Sequence, residues 1–215
     1  MARAVAETWV GVVLAAGEGR RFGPRLKVLQ PYQGEPLVRR AARALLAAGL
    51  SRVGVVVGYR AEQVVPALAG LPVAVLFNPA WFWGMAWSVR AAVRAAQGWR
   101  AQGLLITLAD MPLVDGAAIR AVLQVAQRSP EPIVALEAAS RVTPPVAYRA
   151  SVWPALLRLR GDVGGRALFG AFPVRRVPWP DPRIIWDIDT MHDWQRLASA
   201  ARKKDEHHAR SVRIP

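Results

Sequence analysis

Three groups of residues in this 215-residue chain are of types that handle phosphate. The first is the glycine-rich run Leu14-Ala15-Ala16-Gly17-Glu18-Gly19-Arg20-Arg21-Phe22-Gly23, which follows an apolar stretch directly. Small residues there let the backbone turn sharply and bring N–H groups against phosphate oxygens. Arg20, Arg21, Arg25 and Lys27 lie within or just beyond the run, where a triphosphate needs neutralising. The second is Asp110, which ends the apolar run 104–109 and precedes Met111-Pro112. An aspartate at the carboxyl end of a buried parallel strand points into the cleft where α/β sheets bind ligands. The third is Ile184-Ile185-Trp186-Asp187-Ile188-Asp189-Thr190. Read as a strand, its alternation puts Asp187 and Asp189 on one face. Carboxylates from two strand ends are the hard oxygen ligands that Mg2+ uses, with phosphate oxygens and waters completing the octahedron. Plainer roles also fit: Asp110 can open a turn before proline, and Asp189 or Thr190 can cap a following helix.

Other glycine-loop chemistries fit less well. A P-loop needs Gly-Lys-Ser/Thr after four spacers, and no such string occurs. Gly17, Gly19 and Gly23 are spaced one residue too widely for a dinucleotide fingerprint, and the second strand ends in Gly58-Tyr59-Arg60 rather than an acid. Arg60 keeps an NADP reading open, because an arginine there can meet a 2′-phosphate. The segment Trp81-Phe82-Trp83-Gly84-Met85-Ala86-Trp87 is rich in aromatics. It suits a stacking wall for a base or ring, or a packed lid or subunit contact. Trp153, Trp179, Trp186 and Trp194 are assigned to packing. His192 falls in the first turn of a final helix, and His207 and His208 lie in the tail, two adjacent histidines without a third ligand.

The elements that must position these residues alternate apolar and amphipathic runs, the βαβ pattern of an α/β fold with a mostly parallel sheet. Strands are expected at Trp9–Ala16, Val53–Gly58, Val73–Phe77, Leu104–Ala109 and Ile133–Leu136, near-continuous apolar runs suited to burial on both faces. Helices are expected at Leu37–Ala48, stopped by Gly49, at Ser88–Gln97 with Ser88 as a cap, and at Ala117–Arg128. Prolines punctuate the C-terminal third. Short elements are expected at Val152–Arg160, Arg166–Phe172, Val174–Trp179 and Ile184–Ile188, then a helix Met191–Arg202. The expected organisation is one domain over residues 1–203, its nucleotide-binding half about 1–112 and its acceptor-side half about 113–203. A polar tail follows at 204–215.

Composition narrows the partners. There is no cysteine, which removes disulfides, thiolate metal sites and a cysteine nucleophile. No apolar run approaches the length of a membrane span. The apolar N-terminal stretch after Arg3 is better explained by a first buried strand than by a signal peptide, and a cytoplasmic location is expected. Formal net charge is +14, from 29 basic and 15 acidic residues, and all the basic residues except Lys27, Lys203 and Lys204 are arginines. That charge favours nucleotides and phosphorylated substrates. Nucleic acid is not expected, since no compact basic run with interleaved aromatics occurs outside the tail.

Taken together, the loop Leu14–Gly23 with Lys27, the segment Asn78–Ser88, Leu108-Ala109-Asp110-Met111-Pro112, Gly161-Asp162-Val163-Gly164-Gly165-Arg166-Ala167-Leu168 and Asp187-Ile188-Asp189-Thr190 resemble the molybdenum cofactor nucleotidyltransferases, in particular the molybdopterin cytidylyltransferase-like branch. The matches run in order from residue 10 to about 197. The resemblance implies a three-layer α/β/α Rossmann-like nucleotidyltransferase fold. It implies transfer of a nucleoside monophosphate from an NTP, CTP favoured, to a phosphorylated acceptor such as molybdopterin, with Mg2+ as cofactor and a client molybdoenzyme as a further partner. On this reading the loop from Leu14, with the backbone of Ala15, Ala16, Gly17 and Gly19, holds base and phosphates. Arg21 and Lys27 grip the triphosphate and serve catalysis with Asp110. Asn78, Gly84 and Ser88 lie near base and ribose. Asp110 holds the metal with Asp187 as its first partner and Asp189 as the alternative, and Asp162, Gly164, Gly165 and Arg166 face the acceptor. Ala16 before Gly17 resembles the cytidine-using branch. Thr143-Pro144-Pro145 departs from it, standing where that branch has Gly-His-Pro. A sugar-phosphate nucleotidyltransferase and a non-catalytic nucleotide- or cofactor-binding protein are the alternatives.

Overall fold

The computed structural model describes residues 8–197 and 199. The first strand, β1 (Trp9–Leu14), is buried along its whole length. It lies at the centre of a seven-stranded sheet of order β5-β4-β1-β6-β8-β7-β9. These strands are β4 (Arg52–Val57), β5 (Ala74–Phe77), β6 (Gly103–Leu108), β7 (Ile133–Ala138), β8 (Arg141–Arg149) and β9 (Val174–Pro178). A separate two-residue hairpin pairs β2 (Pro31–Tyr32) with β3 (Glu35–Pro36). The β1, β4, β5 and β6 pairings are parallel, as is β7 with β9, while β8 runs antiparallel to both its neighbours. The expected α/β class and mostly parallel sheet are what the molecule adopts. The apolar runs were read correctly because strands covered on both faces have no polar side.

Helices cover the two faces. On one side α1 (Leu37–Leu46) and α4 (Gly116–Arg128) pack over Val13, Val55 and Leu105. On the other, α3 (Met85–Gly98) and α5 (Trp153–Arg158) pack over Val12, Val56 and Leu104. A short helix α2 (Ala61–Val64) follows β4. A third cluster gathers Phe22, Tyr32, Leu37, Ile188 and Leu197, drawing the C-terminal segment across the glycine loop. No described helix is long and apolar enough to cross a membrane.

Several sequence expectations need correction. The strand β8 went unread because Pro144-Pro145 lies inside it, and proline cannot donate to a ladder. The pairing solves this with a bulge: Ala135 faces Val146 and Leu136 faces Thr143, so both prolines fall in the slip. Ser88 does not cap α3, which begins three residues earlier behind Gly84. Residues 184–188 form no strand. Pro182–Ile185 is a 3-10 turn, and residues 186–189 run on without ladder partners. Residues 166–172 likewise hold a 3-10 turn, Gly165–Leu168. The last helix begins at residue 191, and its expected end at Arg202 lies outside the described residues, as do the tail and His207 and His208. Thr190 settles the capping question. Its Oγ1 accepts from Asp193 N (3.2 Å), and Asp193 Oδ2 accepts from Thr190 N (2.9 Å), a reciprocal cap in which the Asp189 side chain takes no part.

Candidate functional site

The site grows from the carboxyl ends of β1 and β6. The chain runs outward from β1 through β4 to β5 and then crosses back to β6 on the other side of β1, and a crevice opens where the strand order reverses. Beyond β1 the chain stays in register for two more residues: Ala15 N donates to Val56 O (2.9 Å), and Ala16 O accepts from Tyr59 N (3.0 Å). The Ala15 N–H is therefore spent within the sheet, while Ala15 itself lines the first chamber. The N–H groups of Ala16, Gly17 and Gly19 make no hydrogen bond to a described residue and remain available to phosphate oxygens. Gly19 is left-handed (φ 65°), which turns the chain into the 3-10 turn Arg20–Phe22. Phe22 anchors that turn in the third cluster. Lys27 opens the next turn, Lys27–Leu29, whose Val28 is buried in the main core.

Lys27 is the centre of charge. Its Nζ donates to Asp110 Oδ2 at 2.6 Å and to Asp189 Oδ1 at 3.2 Å, and its side chain is only 13% exposed. Burial alone would lower its pKa, but Asp110 and Asp189 together outweigh that and hold the ammonium above its ordinary range. Arg21 Nη2 donates to the other oxygen of Asp189 at 2.8 Å from a largely exposed position. Asp110 and the C-terminal segment are tied through the backbone as well, Ile188 N donating to Asp110 O at 2.9 Å. Arg40 Nε fixes the turn beyond Asp110 by donating to Pro112 O (2.7 Å). Carboxylates 79 residues apart in the chain are thus drawn to one ammonium.

Two adjoining chambers open here. The first, about 580 Å³, is lined by the loop from Leu14 to Arg21, by Lys27, Asp110 and Asp189, and across from them by the 3-10 turn Trp81–Trp83. Gly84 and Ser88 also line it. Asn78 does not: it is buried, its side-chain amide donating to Ser88 Oγ (3.2 Å) and accepting from Ala80 N (3.1 Å). Its work is to set the aromatic turn in place. Phe82 and Trp83 are more than half exposed at the mouth, and Trp81 leans on Tyr59 with ring centroids 5.1 Å apart.

The second chamber, about 270 Å³, lies under β8 and is lined by Asp187, Arg166, Gly164 and Gly165 among others. Asp187 and Asp189 therefore face different chambers on either side of the buried Ile188, rather than sharing a strand face. Partial desolvation, followed by the like charges of Asp189 and Asp110, raises the Asp187 pKa. Asp162 borders both chambers, and its Oδ1 accepts from Met85 N at 3.2 Å. The segment 161–165 fits so closely that side chains are barred. A Cβ on Gly84, itself at φ 101°, would come within 2.5 Å of Gly161 backbone, and one on Gly165 would strike the Tyr148 hydroxyl. Sequence reasoning passed over Tyr148, Arg141 and Asp162's double position, because the strand that carries the first two was unread.

The fold and the paired chambers define a nucleotide-handling α/β domain of the nucleotidyltransferase type. The chain matches the MobA-like NTP transferase domain over residues 11–177 and belongs to that family of nucleotidyltransferases. It is 32% identical over 202 residues to the nicotine blue oxidoreductase of Paenarthrobacter nicotinovorans, covering 87% of this chain and 95% of that protein. It is 30% identical over 205 residues to the purine catabolism protein PucB of Bacillus subtilis (strain 168), covering 89% and 96%. Among solved structures, Rv0371c from Mycobacterium tuberculosis H37Rv superposes with a TM-score of 0.80 at 29% identity, over 91% of this chain and 99% of that one. A second structure of Rv0371c is a complex with manganese, at a TM-score of 0.76. The family expected from the motifs is the family found.

Proposed function

We propose that the chain transfers CMP from CTP to the phosphate of a molybdopterin-type acceptor, with a divalent cation as cofactor. The observation that carries this reading is Lys27 standing between Asp110 and Asp189 beside a loop of unspent N–H donors, at the junction of two chambers. CTP would occupy the first chamber. Its phosphates would meet the N–H groups of Ala16, Gly17 and Gly19, with Arg21 and Lys27 swinging from Asp189 to the leaving pyrophosphate. An acceptor phosphate oxygen reaching in past Asp162 attacks the α-phosphorus in line; the α–β bridging P–O bond breaks, and pyrophosphate departs. The phosphate nucleophile is already ionised, so no general base is needed. Positioning and charge stabilisation carry the rate. The preference for CTP rests on Ala16 preceding Gly17, as in the branch the sequence resembles.

Asp110 would hold the cation, with Asp189 from the first chamber or Asp187 from the second as its partner. Asp110 Oδ1 is buried and makes no hydrogen bond, an acceptor left over once Lys27 has taken Oδ2. Among the described residues no group of three or more acidic, histidine or cysteine side chains is gathered closely enough to cage a metal alone. That suits magnesium, which keeps waters and takes substrate phosphates as ligands. Bound there, the cation would neutralise charge on the phosphate oxygens. The manganese complex of Rv0371c supports this assignment.

Pyrophosphate release measured with CTP, GTP, ATP and UTP, with and without Mg2+ and molybdopterin, tests the proposal. CTP should be fastest, and Asp110→Ala should lower the rate roughly 100-fold or more with the fold intact. Undiminished turnover in that variant sinks the assignment. The name of the P. nicotinovorans relative makes NADPH a necessary control. Arg60, the residue suited to a 2′-phosphate, stacks on Tyr59 and lines neither chamber, so no hydride transfer is expected.

A further inference from the structure

The second chamber is lined by two kinds of residue. Leu14, Val89, Ile106 and Val146 are aliphatic, while Thr143 and Tyr148 bring buried hydroxyls, and Asp162, Asp187, Arg141 and Arg166 bring charge. Alternate residues of β8, Pro144, Val146 and Tyr148, turn the same face toward it, and Pro144 brings no hydrogen-bonding group to the wall. Tyr148 is 2% exposed, yet its hydroxyl makes no hydrogen bond to any described residue. Buried phenols find a partner as a rule. This one lies against the Cβ-less face of Gly165, open to the chamber, with the Arg166 charge close by. Desolvation pushes the phenol well above its ordinary range, so it stays a neutral donor and acceptor at any working pH. Arg141 and Arg166 are exposed on the chamber's border.

We propose that Tyr148 is a specificity-determining residue of the acceptor chamber, its hydroxyl pairing with a hydrogen-bonding edge of a flat, fused-ring acceptor whose faces lie against the aliphatic walls. This rests on the reading that the second chamber takes the acceptor. A sugar in the same place would press its hydroxyls against Leu14, Ile106 and Val146 and leave them unpaired, which is costly. A flat ring with polar atoms confined to its edge can turn its faces to those residues and its edge to Tyr148, Thr143 and the charged groups of the lining. A site that holds a buried hydroxyl with no protein partner rejects analogues that lack the matching atom far more strongly than an apolar pocket rejects an extra methylene.

The test uses Tyr148→Phe, which removes one oxygen and keeps the ring that fills the core. Two fluorescent probes without phosphate, 6-hydroxymethylpterin and 2-naphthylmethanol, are titrated against both proteins. The wild type should bind the pterin at least about 10-fold more tightly than the naphthalene. The variant should lose that preference through the pterin alone, with CTP affinity and Tm unchanged. In turnover with molybdopterin, the variant's KM for the acceptor should rise about as much while its KM for CTP stays put. Equal pterin binding by both proteins overturns the proposal, as does no pterin binding by the wild type or a parallel loss of CTP binding. The two readings fail separately. Tyr148-dependent pterin binding without any pyrophosphate release removes the transfer reading and keeps this one. Turnover indifferent to Tyr148→Phe does the reverse.

Discussion

Lys27 stands between two carboxylates proposed as metal ligands, and its replacement separates its roles. Lys27→Met leaves Asp110 and Asp189 as bare like charges. A partly buried pair broken on one side costs about 2 kcal/mol, or a fall in Tm of roughly 4–8 °C for a domain of this size. The same variant should bind Mn2+ more tightly than wild type in the absence of nucleotide, by about 10-fold in an EPR titration, because the competing ammonium is gone. Weaker metal binding there would mean that the three carboxylates do not form the metal site. Asp187 gives a pH signature. Its folded pKa lies above the unfolded value, so at neutral pH its ionisation opposes folding, and that cost fades as pH falls through the raised value. Asp187→Asn should therefore raise Tm by about 1–3 °C at pH 7 without metal, lose that advantage near pH 4, and lose it again at neutral pH in saturating Mg2+. Of these residues Asp110, Asp189 and Lys27 were legible as a charged set from their types and their places after apolar runs. Their pairing was not, because an ion pair 162 residues apart leaves no local mark.

The elements show the same division. The helix α3 starts behind Gly84, which has no side chain to cap it, and the cap comes instead from Asp162, which accepts from Met85 N, 77 residues before it. Ala86 N adds a bond to Gly161 O at 3.2 Å. This strap joins the aromatic turn of the first chamber to the wall of the second. Gly84→Ala puts a methyl into the Gly161 backbone at a φ that alanine rarely adopts. A loss of about 2–3 kcal/mol is expected in urea unfolding, with weaker CTP binding because the turn Trp81–Trp83 moves. An unchanged midpoint would show that the strap is loose in solution. The parallel strands and α1, α3 and α4 could be read because their periodicity is local. β8 could not, since its prolines are tolerated only at a bulge that its partner β7 defines.

At the scale of the whole molecule, the +14 charge acts before any contact is made. Association of CTP should slow several-fold between 50 and 500 mM KCl, while a neutral nucleoside should be little affected, as stopped-flow tryptophan fluorescence would report. Equal salt dependence for the two ligands would remove steering from the account. The central position of β1 puts the glycine loop over the crevice at its carboxyl end, and the third cluster, Phe22 with Ile188, brings the C-terminal segment across it. By itself the sequence determined the α/β class, the glycine-rich loop and the three aspartates, since apolar runs, glycines and charges act through composition and short spacing, and its ordered motifs carried the resemblance to the family. Only the tertiary structure decided that Asp187 and Asp189 face separate chambers, that Asn78 supports rather than lines the site, and that Tyr148 lines the second chamber. Those facts depend on which distant segments pack together, and packing is settled by the shape of the whole core rather than by any stretch of chain within it.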